Sequence, residues 1–129
     1  MKRRSYLKAM LAGAGAGAAV AQKTQHPIQL YVDLAVDPAK EKEMLQNFRT
    51  VFRPAASKQP GFVDVKMMKL RSAMQGAAPA GANYRFMISF ETEEHRQKWV
   101  ATAVHQKVWP TIENTLSSKN YTVLLYDVA

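Results

Sequence analysis

From Ile28 to Val36 the chain alternates without a break: Ile28, Leu30, Val32, Leu34 and Val36 share one parity, and Gln29, Tyr31, Asp33 and Ala35 the other. A strict period of two predicts a strand with one face against a core. It constrains the rest of the chain, because such a strand needs neighbouring strands and a second layer to bury its apolar face. Asp37-Pro38 then supplies an N-cap and a first-turn proline, and Met44, Leu45, Phe48, Val51 and Phe52 follow at spacings of three and four. That predicts an amphipathic helix ending near Pro54. Gln59-Pro60-Gly61 reads as a turn and Phe62 to Leu70 as a second strand. Residues 72–82, SAMQGAAPAGA, are mostly small, with two glycines and a proline, and predict a flexible hairpin loop before a third strand, Tyr84 to Phe90.

Thr92 with Glu93 and Glu94 opens a second helix, the hydroxyl as cap and the carboxylates complementing the helix dipole. Pro110 lacks the N–H and disfavours a helical Trp109, so a break is expected at His105 to Trp109, with a short helix resuming at Pro110 and burying Ile112 and Leu116. Asn120 to Val128 reads as the last strand. The order is β-α-β-β-α-β, an α+β fold of the ferredoxin-like kind, with one antiparallel sheet and the helices on one face. Val63, Val65, Met67, Met87, Leu124, Tyr126 and Val128 fall on the parity opposite the helix side, so both faces of the sheet carry apolar side chains. A face open to water would alternate cleanly with polar residues. Either a bulge breaks the parity or a partner covers the face; the size of the patch favours a partner, and a homodimer is expected.

Ahead of this domain, Lys2, Arg3, Arg4 and Lys8 precede an unbroken run of small and apolar residues from Met10 to Ala21. This is the pattern of a secretory signal, too short and glycine-rich for a stable membrane anchor. Arg3-Arg4-Ser5-Tyr6-Leu7-Lys8 resembles the bacterial twin-arginine motif, which implies export to the periplasm or beyond. Residues 1–21 are therefore read as the signal and 22–129 as one domain. Four of the 18 basic side chains and none of the 10 acidic ones lie in the signal, leaving the domain at +4. That is ordinary solubility charge without a basic cluster, so no nucleic-acid partner is expected. With no cysteine, and with His26, His95 and His105 at unrelated spacings, neither disulfides nor a metal site is expected.

The first strand followed by Asp37-Pro38-Ala39-Lys40-Glu41, the Gln59-Pro60-Gly61-Phe62 turn, the passage from Phe90-Glu91 to Trp99, and His105 with Trp109-Pro110 together resemble the antibiotic biosynthesis monooxygenase family over residues 27–128. The resemblance implies a dimeric α+β barrel. It also implies oxidation of a small aromatic or quinol-type molecule without metal, flavin or other cofactor. Haem-degrading members share an Asn on the first strand, a Trp early in the second helix and a His ten positions later. Here Trp99 matches the Trp, but the position ten later is Trp109 and the first strand has no Asn.

An interrupted helix over a sheet leaves a gap between layers, and such gaps form small-molecule pockets. His105 is the candidate catalytic base there, because imidazole titrates near working pH. With only a likeness of fold behind the catalytic role, the readier reading is a structural histidine bonded to the free carbonyls of the broken helix. Trp99 and Trp109 are candidate walls, and Tyr31, Asp33 and Arg85 candidate polar contacts to substrate, or else residues facing solvent or a dimer rim. His95, among Glu93, Glu94 and Arg96, reads as a surface residue. The rival to an oxygenase is a non-catalytic ligand-binding or scaffold protein of the same fold.

Overall fold

Four strands build one antiparallel sheet in the order β2-β3-β1-β4: β1 (Ile28–Leu34), β2 (Phe62–Lys69), β3 (Tyr84–Phe90) and β4 (Thr122–Asp127). They belong to a computed structural model that describes residues 26–129; the signal expected over residues 1–21 lies outside the described residues. Helices cover one face, and the fold is the ferredoxin-like one. Ile28, Val32 and Leu34 of β1, and Tyr84, Phe86, Ile88 and Phe90 of β3, are buried on the helix side with Phe48, Phe52, Trp99, Val108 and Ile112. The alternation that marked these strands decides which face each side chain takes, although Asp33, Met87 and Ser89 of the other face are buried as well.

β2 departs from simple parity. Its register against β3 shifts between Phe62 and Asp64, a bulge that leaves Val63 half exposed. Beyond it Val65 and Met67 stand opposite Ile88 and Phe86, on the helix side. The expectation that these two lie on the outer face fails at this extra residue, because one inserted position reverses every side chain that follows. The outer face keeps Gln29, Tyr31 and Asp33 beside Ser89, Met87 and Arg85, with Tyr126, Leu124 and Thr122 across from them on β4. β4 is exposed along its whole length, with Val123, Leu125 and Tyr126 about half open.

The first helical segment runs on past Pro54. After a 3-10 turn at Pro38–Lys40, α1 (Glu41–Asn47) passes through a π turn, Phe48–Phe52, into α2 (Arg53–Ser57). In the π turn the Arg53 N–H donates to the Phe48 carbonyl, five residues back. A proline clashes with the carbonyl four residues before it, and widening the turn just upstream lets the helix continue through Pro54. The second helical segment breaks earlier than expected. α3 (Glu93–Ala101) stops at Thr102, which takes an extended conformation (φ −73, ψ 152) and caps α4 (Ala103–Val108). Pro110 causes no comparable break: it occupies the first position of α5 (Pro110–Glu113), where no N–H is needed, and Trp109 stays helical.

Candidate functional site

The kink at Thr102 builds the site. The Thr102 hydroxyl donates to the Trp99 carbonyl (2.7 Å) and accepts from the His105 N–H (3.1 Å), so one side chain closes α3 and opens α4. It thereby sets His105 in the first turn of α4, with the imidazole edge-on to the Trp99 ring, centroids 5.0 Å apart at 89°. Between this corner and the sheet lies a cavity of about 130 Å³. Leu30, Val32 and Val123 of the sheet form its floor, with Phe86 and Ile88; Trp99, Val100 and Trp109 form its helical wall. Phe52 anchors the aromatic group, meeting Phe86, Trp99 and Trp109 edge to face at centroid distances of 5.2, 5.9 and 6.0 Å.

Three polar groups enter this apolar space. His105 Nδ1 is buried and has no hydrogen-bond partner among the described residues. Burial lowers the His105 pKa below the ordinary imidazole value, and the nearby Arg96 charge lowers it further. The ring is thus held neutral, the state in which it can take a proton. Arg96 is fixed by Glu93, its Nε donating to Oε1 at 2.6 Å, and this pairing holds the Glu93 pKa down. Tyr121 accepts from Trp109 Nε1 (3.2 Å) and donates to Glu113 (2.7 Å). Its phenol pKa is raised by burial and by the Glu113 carboxylate.

Of the six residues singled out in the sequence, His105, Trp99 and Trp109 come together here. Tyr31, Asp33 and Arg85 come together elsewhere, on the outer face of the sheet. There Asp33 holds Arg85 through Nε (2.7 Å) and Nη2 (3.1 Å), and the guanidinium lies 5.2 Å from the centre of the Tyr31 ring. The structure therefore separates these three from His105 by the thickness of the sheet. Arg96 and Tyr121 line the cavity and are missed by the sequence reading. Arg96 carried a signal, since it sits three residues before Trp99 on one helical face; Tyr121 carried none. Among the described residues, no group of three or more His, Asp or Glu side chains is placed to hold a metal ion. None of their helices is long and apolar enough to cross a membrane.

No family model and no curated protein matches the chain. Solved structures do. A candidate antibiotic biosynthesis monooxygenase from Caulobacter crescentus superposes with a TM-score of 0.64 at 16% identity, over 81% of this chain and 92% of its own. A dimeric ferredoxin-like protein of unknown function from Jannaschia sp. gives 0.61 at 14% identity, over 80% and 98%. A mutant of SnoaB, a cofactor-independent oxygenase from Streptomyces nogalater, gives 0.59 at 14% identity, over 78% and 91%. At these identities the likeness is one of fold, and it extends over nearly the whole of each of those proteins.

Proposed function

We propose that this protein is an exported, monooxygenase-like enzyme that binds a small aromatic or quinol-type molecule in the cavity at His105 and oxidises it without a cofactor. The observation that carries the reading is the neutral, unpartnered imidazole in an apolar aromatic pocket. A buried polar atom left without a hydrogen bond calls for an explanation, and a phenolic O–H of the ligand supplies one. The size agrees, since an apolar cavity of ~150 Å³ accommodates a benzene ring. The pocket's aromatic walls offer that ring edge-to-face contacts.

In this reading His105 removes the phenolic proton, and Arg96 offers positive charge to the anion that forms. The electron-rich anion then reduces dioxygen. One oxygen atom is added to a ring carbon as a carbonyl, giving a quinone; the hydrogen of that carbon and the phenolic hydrogen leave with the second oxygen as water. All electrons come from the substrate, so no external reductant is required. The kinship of fold with a cofactor-independent oxygenase supports the reaction class. A homodimer belongs to the same proposal. The exposed apolar side chains of β4, among them Leu124 and Tyr126 on the outer face beside Tyr31 and Gln29, support a second copy as their cover.

Oxygen uptake on a panel of single-ring hydroquinones tests the reading. Turnover by the wild-type chain and its loss, by roughly 100-fold or more, in His105→Gln is the expected result. Saturable binding without oxygen uptake points instead to the ligand-binding protein, and unchanged turnover in the variant removes His105 from the chemistry.

A further inference from the structure

The largest cavity described, about 420 Å³, lies on the sheet face opposite His105, where the β2–β3 loop folds back over the ends of β1 and β3. We propose that it is a second ligand site, built for a small carboxylate with an apolar body. Arg85 is the anchor. Its Nε and Nη2 are taken by Asp33 and its plane rests on Tyr31, so the guanidinium is fixed before any ligand arrives. Asp33 is almost fully buried, yet 41% of the Arg85 side chain stays open, and Nη1 has no hydrogen-bond partner among the described residues. A guanidinium held rigid with N–H groups still free is a preorganised receptor for a planar carboxylate.

The charge in the cavity is unbalanced in the same direction. Lys69 is neutralised by Glu41 at 2.8 Å and Arg85 by Asp33, while Arg71 has no ion-pair partner among the described residues. One anion would balance the site. Beside the Gln75 amide and Tyr84, the remaining wall is mostly apolar, from Met68, Leu70 and the alanines and Pro79 of the loop, and suits an apolar body better than a fully hydrated ion such as phosphate. The small side chains of this loop, unable to contribute to a core, are what leave the space open. The cavity stands at the loop end of the outer face, one row beyond Tyr31, Met87 and Leu124, and is independent of the His105 pocket and of its chemistry.

The test is a titration of the ¹⁵N-labelled full chain with benzoate, benzamide and inorganic phosphate, followed by NMR. Benzoate should shift the amides of residues 70–71 and 77–82 and the Arg85 side-chain Nε–H saturably. Benzamide and phosphate should not. Arg71→Ala, an exposed position that leaves the fold intact, should weaken benzoate binding roughly tenfold, the loss of one charge-assisted hydrogen bond. Arg85→Lys, with its fold checked in the same spectra, should weaken it as well. Equal binding of benzamide, tighter binding of phosphate, shifts confined to the Trp99–Trp109 region, no saturable shift at all, or an unaffected Arg71→Ala variant would each overturn the proposal.

Discussion

Gly61 and His95 approach so closely that a Cβ on Gly61 would lie 2.3 Å from the imidazole Cγ. The ring cannot swing away freely, because its Nδ1 lies 2.8 Å from the Thr92 hydroxyl that caps α3. The Gly61 carbonyl meanwhile accepts from the Glu91 N–H at 2.7 Å. His95 is thus half buried against the turn before β2, not a free surface residue, and it ties that turn to the helix bearing Trp99.

Gly61→Ala is accordingly expected to destabilise the protein by about 2 kcal/mol, from steric overlap and from the positive φ of 77° at this residue. His95→Ala in the same chain should recover the steric part and leave a penalty of about 1 kcal/mol for the left-handed backbone. Urea unfolding of the wild type, the single variant and the double variant measures both terms. A Gly61→Ala protein as stable as the wild type would mean that the close approach is absent in solution.

Thr102→Ala removes a cap at one helix end and a hydrogen bond at another. The expected loss is about 1 kcal/mol in urea unfolding, with Thr102→Ser close to wild type. Because the same hydroxyl orients His105, the alanine variant should also lose ligand affinity, which a purely structural cap elsewhere would leave unchanged. Unaltered affinity would detach the kink from the site.

Much of this was legible in the residues. The order of elements and the inner face of β1 follow from a period of two, one capped amphipathic stretch and a second helix start marked by Thr92, Glu93 and Glu94. The separation of Tyr31 and Asp33 from His105 was legible as well: the parity that buries Val32 and Leu34 under the helices sends their neighbours to the opposite face. What the residues hid was a set of single-position events. The bulge at Val63 carries no glycine or proline to mark it, and the π turn is a response to Pro54 that a helical period cannot distinguish from a stop. Pro110 drew the expected helix break toward itself although it is compatible with a first helical position, while Thr102 ended α3 with a hydroxyl alone. The pairing of Tyr121 with Trp109 depends on where β4 begins, which only tertiary packing fixes.

The proposal of export rests on Arg3 and Arg4. Replacing both by Lys keeps the charge and removes the feature a twin-arginine receptor reads, so the precursor should accumulate in the cytoplasm. Fractionation and immunoblotting of the two forms measures this. Normal processing of the double variant would assign the chain to another export route.

The acid limb of activity should report the environment of His105. Its folded-state pKa lies below the ordinary 6.5, through burial first and the Arg96 charge second. An imidazole base with that shift stays neutral as pH falls through 6.5, so kcat/KM should hold there and decline only at lower pH. The same shift makes a statement about stability. Below pH 6.5 the unfolded chain takes up a proton at this residue before the folded one does, so the contribution of His105 is complete above 6.5 and is lost as pH falls toward its folded pKa. Arg96→Gln takes away the cation that disfavours the imidazolium. The variant's acid limb should therefore move upward, and an NMR titration of the His105 Hε1 resonance should move with it. A wild-type His105 that titrates at or above 6.5, or an Arg96→Gln variant whose titration moves downward, would show that neither burial nor Arg96 controls this ring.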